Sequence, residues 1–246
     1  MKTIVLNPDF PRLEEFFESL PGRFARGEGE LLHRGRNEIR RLSYRGCDYV
    51  VKSFCRPHLL NRLVYGTLRG SKACRSYRHA LAFLRIGVGT PTPVGYMDVR
   101  RGLLLDRSYY VSLLSPCPFT YADLYGADPC SGDAVLLEIG RLTAVIHRHG
   151  FLHRDYSRGN ILFGPGPGGS VRIEIVDLNR MSTGRRVGLR RGCKNFERLP
   201  ATPRMRQLMA LGYARARGFD PVVCERLMAL YRRRQPERIP GIDLFG

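Results

Sequence analysis

Asp155 and Asn160 stand five residues apart in the stretch FLHRDYSRGNILFGPGPGGSVRIEIVDLN, residues 151–179, and Asp177 stands two residues before its end. Asp155 and Asn160 precede an apolar run, Ile161–Phe163, and Asp177 follows a second one, Val171–Val176. The GPGPGG between them reads as a hairpin turn, because strand residues flank it immediately. Pairing the two runs brings the start of the first beside the end of the second, so Asn160 and Asp177 converge and Asp155 faces them across the loop. An amide oxygen and a carboxylate so placed suit Mg²⁺, a hard ion that takes oxygen ligands and completes its shell with water and phosphate. A carboxylate beside such an ion can accept a hydroxyl proton and aim that oxygen for in-line attack. A single Asp at a strand end is usually a turn or cap residue. It is the joint pattern, HRD-x4-N, strand, turn, strand and D, that carries the reading.

A second candidate lies far upstream. Lys52 sits in DYVVKSF with apolar neighbours on both sides, where an ammonium is expensive to bury unless it meets an anion. Only four of the 41 basic residues are lysines, Lys2, Lys52, Lys72 and Lys194; the rest are arginine. A compact ammonium on a flexible stem suits phosphate oxygens.

The elements that must position these residues follow from periodicity. Residues 1–26 read as an N-terminal extension with one helix around Leu13–Leu20. Residues 27–114 form a β-rich part: GELLHRGRNEIRRLSYRGCDYVVKSF predicts three antiparallel strands, with turns at Gly35-Arg36-Asn37 and Arg45-Gly46-Cys47. A helix follows over Ser71–Ile86, ended by Gly87 and Pro91, and then two more strands in PVGYMDVRRGLLLDRSYYVSLL. A hinge falls near Leu113–Pro116. Residues 115–246 form a helix-rich part, opening on an amphipathic helix, Ala134–His149, and closing on helices at Asn195–Leu199, Pro203–Ala216 and Pro221–Arg234. The class is α+β, with a five-stranded antiparallel sheet before a mainly helical half.

Lys52 on the third strand, HRD-x4-N and the Asp opening the next segment resemble the protein-kinase-like fold. More closely, HRDYSRGNILF and VDLNRM resemble the lipopolysaccharide kinase (Kdo/WaaP, InaA-type) family, and SKACRSYRHALAFLRIGVGTPTPVGY is similar to that family's helix leading to a G-x-x-T-P stretch. The likeness spans roughly residues 30–200. It implies a two-lobed kinase that uses ATP and Mg²⁺ to phosphorylate a sugar hydroxyl of the lipopolysaccharide inner core at the cytoplasmic face of the inner membrane. Carried over, Asp155 is the catalytic base, Asn160 and Asp177 hold the metal, and Lys52 contacts the nucleotide phosphates. The backbone of Leu113–Ser115 meets the adenine, and the turn at Gly35 covers the phosphates. The chain departs from the kinase pattern in four places. There is no G-x-G-x-x-G. The helix Ser71–Ile86 contains no acid to pair with Lys52, so that partner is missing or comes from elsewhere, such as Glu38. D-L-N replaces D-F-G, and A-P-E is absent. The alternatives are a small atypical protein kinase and a non-catalytic, nucleotide-binding pseudokinase.

Composition narrows the partners. The chain has 246 residues and a formal net charge of +19, a field that attracts phosphorylated substrates, anionic lipid or nucleic acid. Arg180, Arg185, Arg186, Arg190, Arg191 and Lys194 cluster after Asp177, where they would meet anionic sugars and headgroups. No helix-turn-helix, zinc or RNA-recognition signature accompanies the charge, so nucleic acid is not the expected partner. No run approaches the ~18 apolar residues of a membrane span, and the first residues lack a signal-peptide core; a cytoplasmic protein peripheral to the inner membrane is expected. Seven cysteines without a CxxC spacing suggest isolated thiols in a reducing compartment.

Overall fold

A computed structural model describes residues 1–55, 70–102, 104–125, 132–184 and 186–232. The chain divides into two compact units, Met1–Ala82 with Pro91–Ser115, and Phe83–Thr90 with residues 116–246.

The first unit is built on an antiparallel sheet of six strands, not five. They are β1 (Lys2–Leu6), β2 (Glu30–Arg34), β3 (Glu38–Tyr44), β4 (Cys47–Phe54), β5 (Pro93–Arg101) and β6 (Leu104–Leu113), in the order β1-β5-β6-β4-β3-β2. The additional strand is the residue run expected to lie in an N-terminal extension. β1 pairs with β5 from Lys2↔Val99 to Leu6↔Gly95, so residues 2–6 form a sheet edge. The helix after it, α1 (Glu14–Arg26), runs six residues beyond the expected end and passes through Pro21. Packing overrides the proline. Phe16, Phe17, Leu20 and Phe24 all fall on one stripe, and all are buried against Leu42, Tyr49, Val51, Met97, Tyr109 and Val111 of the sheet. Gly27, at φ 69°, then supplies the left-handed C-cap.

One face of the sheet therefore belongs to α1. Helix α2 (Lys72–Arg85) packs on the other, where its Tyr77 ring lies 5.7 Å from that of Tyr96 on β5. Residues that pair across strands share a face, so Lys52, Tyr110 and Tyr96, linked by register, lie on the α2 side.

The second unit is mainly helical. Its framework is α3 (Asp133–Arg148), α4 (Leu189–Lys194), α5 (Pro203–Arg217) and α6 (Pro221–Arg232). α3 and α5 approach backbone to backbone. A Cβ on Gly140 would stand 2.2 Å from Met209 O, and one on Gly212 would stand 2.1 Å from Leu137 O. Short strands fill the space between helices. β7 (Phe119–Thr120), β9 (Ile161–Pro165) and β10 (Val171–Ile175) form one sheet, and β8 (Leu152–His153) pairs with β11 (Met181–Ser182). The expected helix at Asn195–Leu199 is instead a 3₁₀ turn, Asn195–Arg198, and α4 occupies part of the basic segment that follows Asp177. Cys193 on α4 and Cys224 on α6 are free, buried thiols hydrogen-bonded to each other, and that bond raises the Cys193 pKa. Cys130 lies outside the described residues. No described helix is long and apolar enough to cross a membrane.

The α1 packing has a direct test. Phe17→Ala removes a fully buried ring, and the first unit should lose about 3–5 kcal/mol of stability. Urea unfolding monitored by circular dichroism measures it; a change under ~0.5 kcal/mol would mean that residues 1–26 are a detachable extension after all.

Candidate active site

The hairpin expected from the sequence is there. β9 and β10 pair from Ile161↔Ile175 to Pro165↔Val171, and the next rung is a hydrogen bond from Val176 N to Asn160 O, 3.0 Å. This register sets Asn160 beside the segment that leads into Asp177. The Asn160 side chain is oriented by its own nitrogen. Nδ2 donates to Asp155 O at 2.8 Å and to Ser157 Oγ at 3.2 Å, which makes Oδ1 the atom that a metal would take.

Asp177 sits at φ 60°, ψ 46°, in the left-handed region that a non-glycine residue rarely adopts. The strain is of order 1–3 kcal/mol. That conformation turns the chain sharply out of β10 into the 3₁₀ turn Leu178–Arg180. The amide of buried Asn179 donates to Asp177 Oδ1 and so holds the carboxylate. Asn179 is the third residue of the D-L-N motif, and its role was not apparent from the sequence.

Asp155 is placed by the residues on both sides of it. His153 is buried; its Nδ1 accepts from the Asp155 N–H at 3.1 Å, and its Nε2 donates to Val176 O at 3.0 Å. Tyr156 turns inward and its hydroxyl meets Thr143 Oγ1 on α3 at 2.7 Å, while Thr143 donates to Ile139 O. The carboxylate of Asp155 meets two guanidinium groups. Arg198 Nη1 pairs closely with Oδ1, and Arg180 Nη1 lies 3.4 Å from Oδ2. Neither contact could be read from spacing, since they come from 43 and 25 residues away.

A relay runs behind the loop. Tyr213 OH on α5 is 3.0 Å from His147 Nδ1, His147 Nε2 is 2.9 Å from Asn195 Oδ1, and Asn195 Nδ2 donates to His153 O at 2.8 Å. Burial pushes the His147 pKa down to about 4, and the positive Arg217 and Arg191 add to the effect against the bond to Asn195. The imidazole is thus neutral, with Nδ1 free to accept from Tyr213.

Of the remaining candidates, Lys52 is half-buried on β4, and its Nζ lies 5.4 Å from the centre of the Phe54 ring. Glu38 cannot serve as its acid. Glu38 pairs in register with Ser53, so it projects from the opposite face to Lys52, and its carboxylate binds Arg40. A buried acid on the Lys52 face is Asp98, reached through the rungs Phe54↔Ser108↔Asp98. Burial raises its pKa, opposed by a hydrogen bond with Ser71 and by the charge of Arg100. Gly35 lies in a three-residue turn whose backbone closes through Gly35 N to Asn37 O, 3.1 Å, with an ordinary negative φ. The Leu113 N–H donates to Thr92 O, so that amide serves the sheet, and Ser115 ends the first unit. In the basic segment, Arg186, Arg190, Arg191 and Lys194 are exposed; Arg185 lies outside the described residues.

No family profile matches the chain and no curated protein matches its sequence. Solved structures do. WaaP in complex with acyl carrier protein aligns with a TM-score of 0.63 at 19% identity, covering 94% of this chain and 97% of that one. A microcompartment-associated aminopropanol kinase aligns at 0.52 and 13% identity, covering 83% of each chain. The Rio2 kinase from Chaetomium thermophilum, in an ADP/Mg²⁺-phosphoaspartate complex, aligns at 0.50 and 17%, covering 90% and 77%. The chain has the protein-kinase-like fold of these enzymes.

The neutral His147 makes the second unit sensitive to acid. Its pKa is depressed in the folded state, so the unfolded chain takes up the proton first. The stability it confers is complete above pH ~6.5 and is lost as pH falls toward 4, about 3 kcal/mol in all. His147→Gln should remove that part of the pH dependence. Urea unfolding of both chains at pH 7 and pH 4.5 measures it; parallel curves would show that His147 is not the proton acceptor.

Proposed function

We propose that this chain is an ATP- and Mg²⁺-dependent kinase that transfers the γ-phosphoryl group to a sugar hydroxyl of the lipopolysaccharide inner core, Kdo or heptose. The observation that carries it is the Asp155–Asn160–Asp177 constellation, in which one amide nitrogen orients Asn160 on the Asp155 backbone and a left-handed Asp177 follows the paired strand.

Asn160 Oδ1 and the Asp177 carboxylate fit Mg²⁺, since both are hard oxygen donors, held by Asp155 O and Asn179 respectively. When bound, the ion would neutralise charge on the nucleotide phosphates. Asp155 takes the proton of the acceptor hydroxyl as its oxygen attacks the γ-phosphorus; the bond to the β–γ bridging oxygen breaks and ADP leaves. Lys52 is assigned to the phosphates, the Leu113–Ser115 backbone to adenine, and the Gly35 turn to covering the phosphates.

The acceptor side is argued from charge and from kind. The motifs HRDYSRGNILF and VDLNRM resemble the Kdo/WaaP family, and the similar structures include WaaP itself and a kinase named for a small amino alcohol. The exposed cations Arg186, Arg190, Arg191 and Lys194 can grip phosphate or carboxylate groups on core sugars and sit against an anionic inner-membrane surface. A cytoplasmic protein peripheral to that membrane follows.

Incubation of the purified chain with ATP, Mg²⁺ and core oligosaccharide, with the phosphate located by mass spectrometry, tests the function. Asp155→Asn should lower kcat by about 10²–10⁴-fold while ATP binding, followed by calorimetry, stays within a factor of about two. Turnover equal to wild type would remove Asp155 from the role of base. Replacing Arg185, Arg186, Arg190 and Arg191 together by Gln should raise KM for the glycan and leave KM for ATP unchanged. The difference should shrink at high salt, where screening already weakens the wild type. Normal glycan turnover with lost affinity for RNA or DNA would reassign the basic face.

A further inference from the structure

The two arginines on Asp155 call for an explanation. A general base must present one oxygen to the incoming hydroxyl, yet a carboxylate on a loop rotates broadly about its last torsion. Nothing within the loop restrains it. Tyr156 points into the core, Ser157 is engaged by Asn160, and Arg158 is exposed. Among the described residues, the side chains that reach the Asp155 carboxylate are Arg198 and Arg180.

They are not equivalent. Arg180 is the more exposed, and its contact is long. Arg198 pairs closely with Oδ1 and comes from a turn fastened on every side. Within that turn, Asn195 bridges His147 and His153 O. Phe196 is buried, its ring edge-on to both Tyr156 at 6.0 Å and Tyr213 at 5.5 Å, and Glu197 O accepts from Arg232 Nη1 at 3.0 Å. Leu199, next in the chain, is buried. The turn thus shares two partners, His153 and Tyr156, with the very loop whose carboxylate its arginine grips. Such a turn fixes where the guanidinium starts, and the planar guanidinium fixes where Oδ1 lies.

We infer that Arg198 is a positioning residue for the phosphoryl-transfer reaction: it holds Oδ1 of Asp155 so that Oδ2 is aimed at the acceptor hydroxyl, with Arg180 as the side that yields. This rests on the kinase assignment proposed above. Arg198 touches neither nucleotide nor acceptor in this role; its effect passes through Asp155. The loss on its removal is therefore a loss of orientation, which falls on kcat and not on substrate binding, and a misplacement of about 1 Å can cost of order 10²-fold.

The test is a kinetic cycle with Arg198→Gln, Arg198→Lys, Asp155→Asn and the Asp155→Asn/Arg198→Gln pair, each shown by thermal melting to be folded. Arg198→Gln should lower kcat by about 10–100-fold with KM for ATP and for core oligosaccharide within about twofold. Arg198→Lys, which keeps the charge but not the fork, should recover part of the loss. In the Asp155→Asn background Arg198→Gln should add less than about twofold, since two residues acting as a unit are not additive. If Arg198→Gln does not fold, the Lys variant carries the measurement, with an expected kcat loss at unchanged melting temperature. A raised acceptor KM at unchanged kcat would mean that Arg198 grips the acceptor and would overturn the inference. So would full additivity with Asp155→Asn, or wild-type turnover in either variant. A wild-type chain that phosphorylates no acceptor sinks the kinase assignment and the inference together; active wild type with unimpaired variants sinks the inference alone.

Discussion

His153 has two ring nitrogens and one proton to share between them. Its Nδ1 accepts from the Asp155 N–H and its Nε2 donates to Val176 O, so only one neutral tautomer satisfies both bonds. Those bonds join the loop that carries Asp155 to the residue just before Asp177. The ring is fully buried, so losing either bond would leave a polar atom without water. The positions of Asp155, Asn160 and Asp177 relative to one another depend on this imidazole and on the rung Val176 N to Asn160 O. Behind it, His147 applies the same logic a second time. A second buried neutral imidazole, fixed by Tyr213 and Asn195, supports the His153 carbonyl through the Asn195 amide.

The site is also a study in how few acids handle many cations. The chain has 41 lysines and arginines against 22 acids. Most of the described acids are paired: Glu28 with Arg23 and Arg26, Asp48 with Arg41, Glu138 with Arg141, Glu174 with Arg172. At exposed positions such pairs contribute little to stability. At Asp155 the same excess is put to a different use, because two guanidiniums define the plane of one carboxylate.

Much of this was legible in the sequence, and the pattern of what was not is physical. Asn160 and Asp177 could be brought together because a hairpin is local: apolar runs on either side of GPGPGG leave essentially one register. Lys52 stood out because lysine is rare in this chain. Strand β1 was passed over because KTIVL is short and its partner, β5, is remote, so no local signal marks the pairing. The helix was cut short at Pro21 because intrinsic propensity says it should stop there; the Phe24 contact outweighs that preference. Glu38 looked like a candidate acid until the register placed it on the wrong face of the sheet, while Asp98 reaches the face of Lys52 only through β6, a pairing that no local spacing announces. Arg198 and Asn195 act on a loop some 40 residues earlier, and nothing in linear spacing announces that.

The pairing of β1 with β5 also sets a clock on biosynthesis. Lys2 leaves the ribosome well ahead of its partner Val99, which follows about a hundred residues later. At about 5–20 residues per second, that interval is of order 5–20 s. Until β5 and β6 follow, the aromatic stripe of α1 has only Leu42, Tyr49 and Val51 of β3 and β4 to cover, and β1 offers an unpaired edge to any neighbouring chain. Nascent chains of this protein should therefore be most dependent on chaperones in the window before β5 and β6 emerge, a vulnerability that arises from topology and is invisible in the finished molecule.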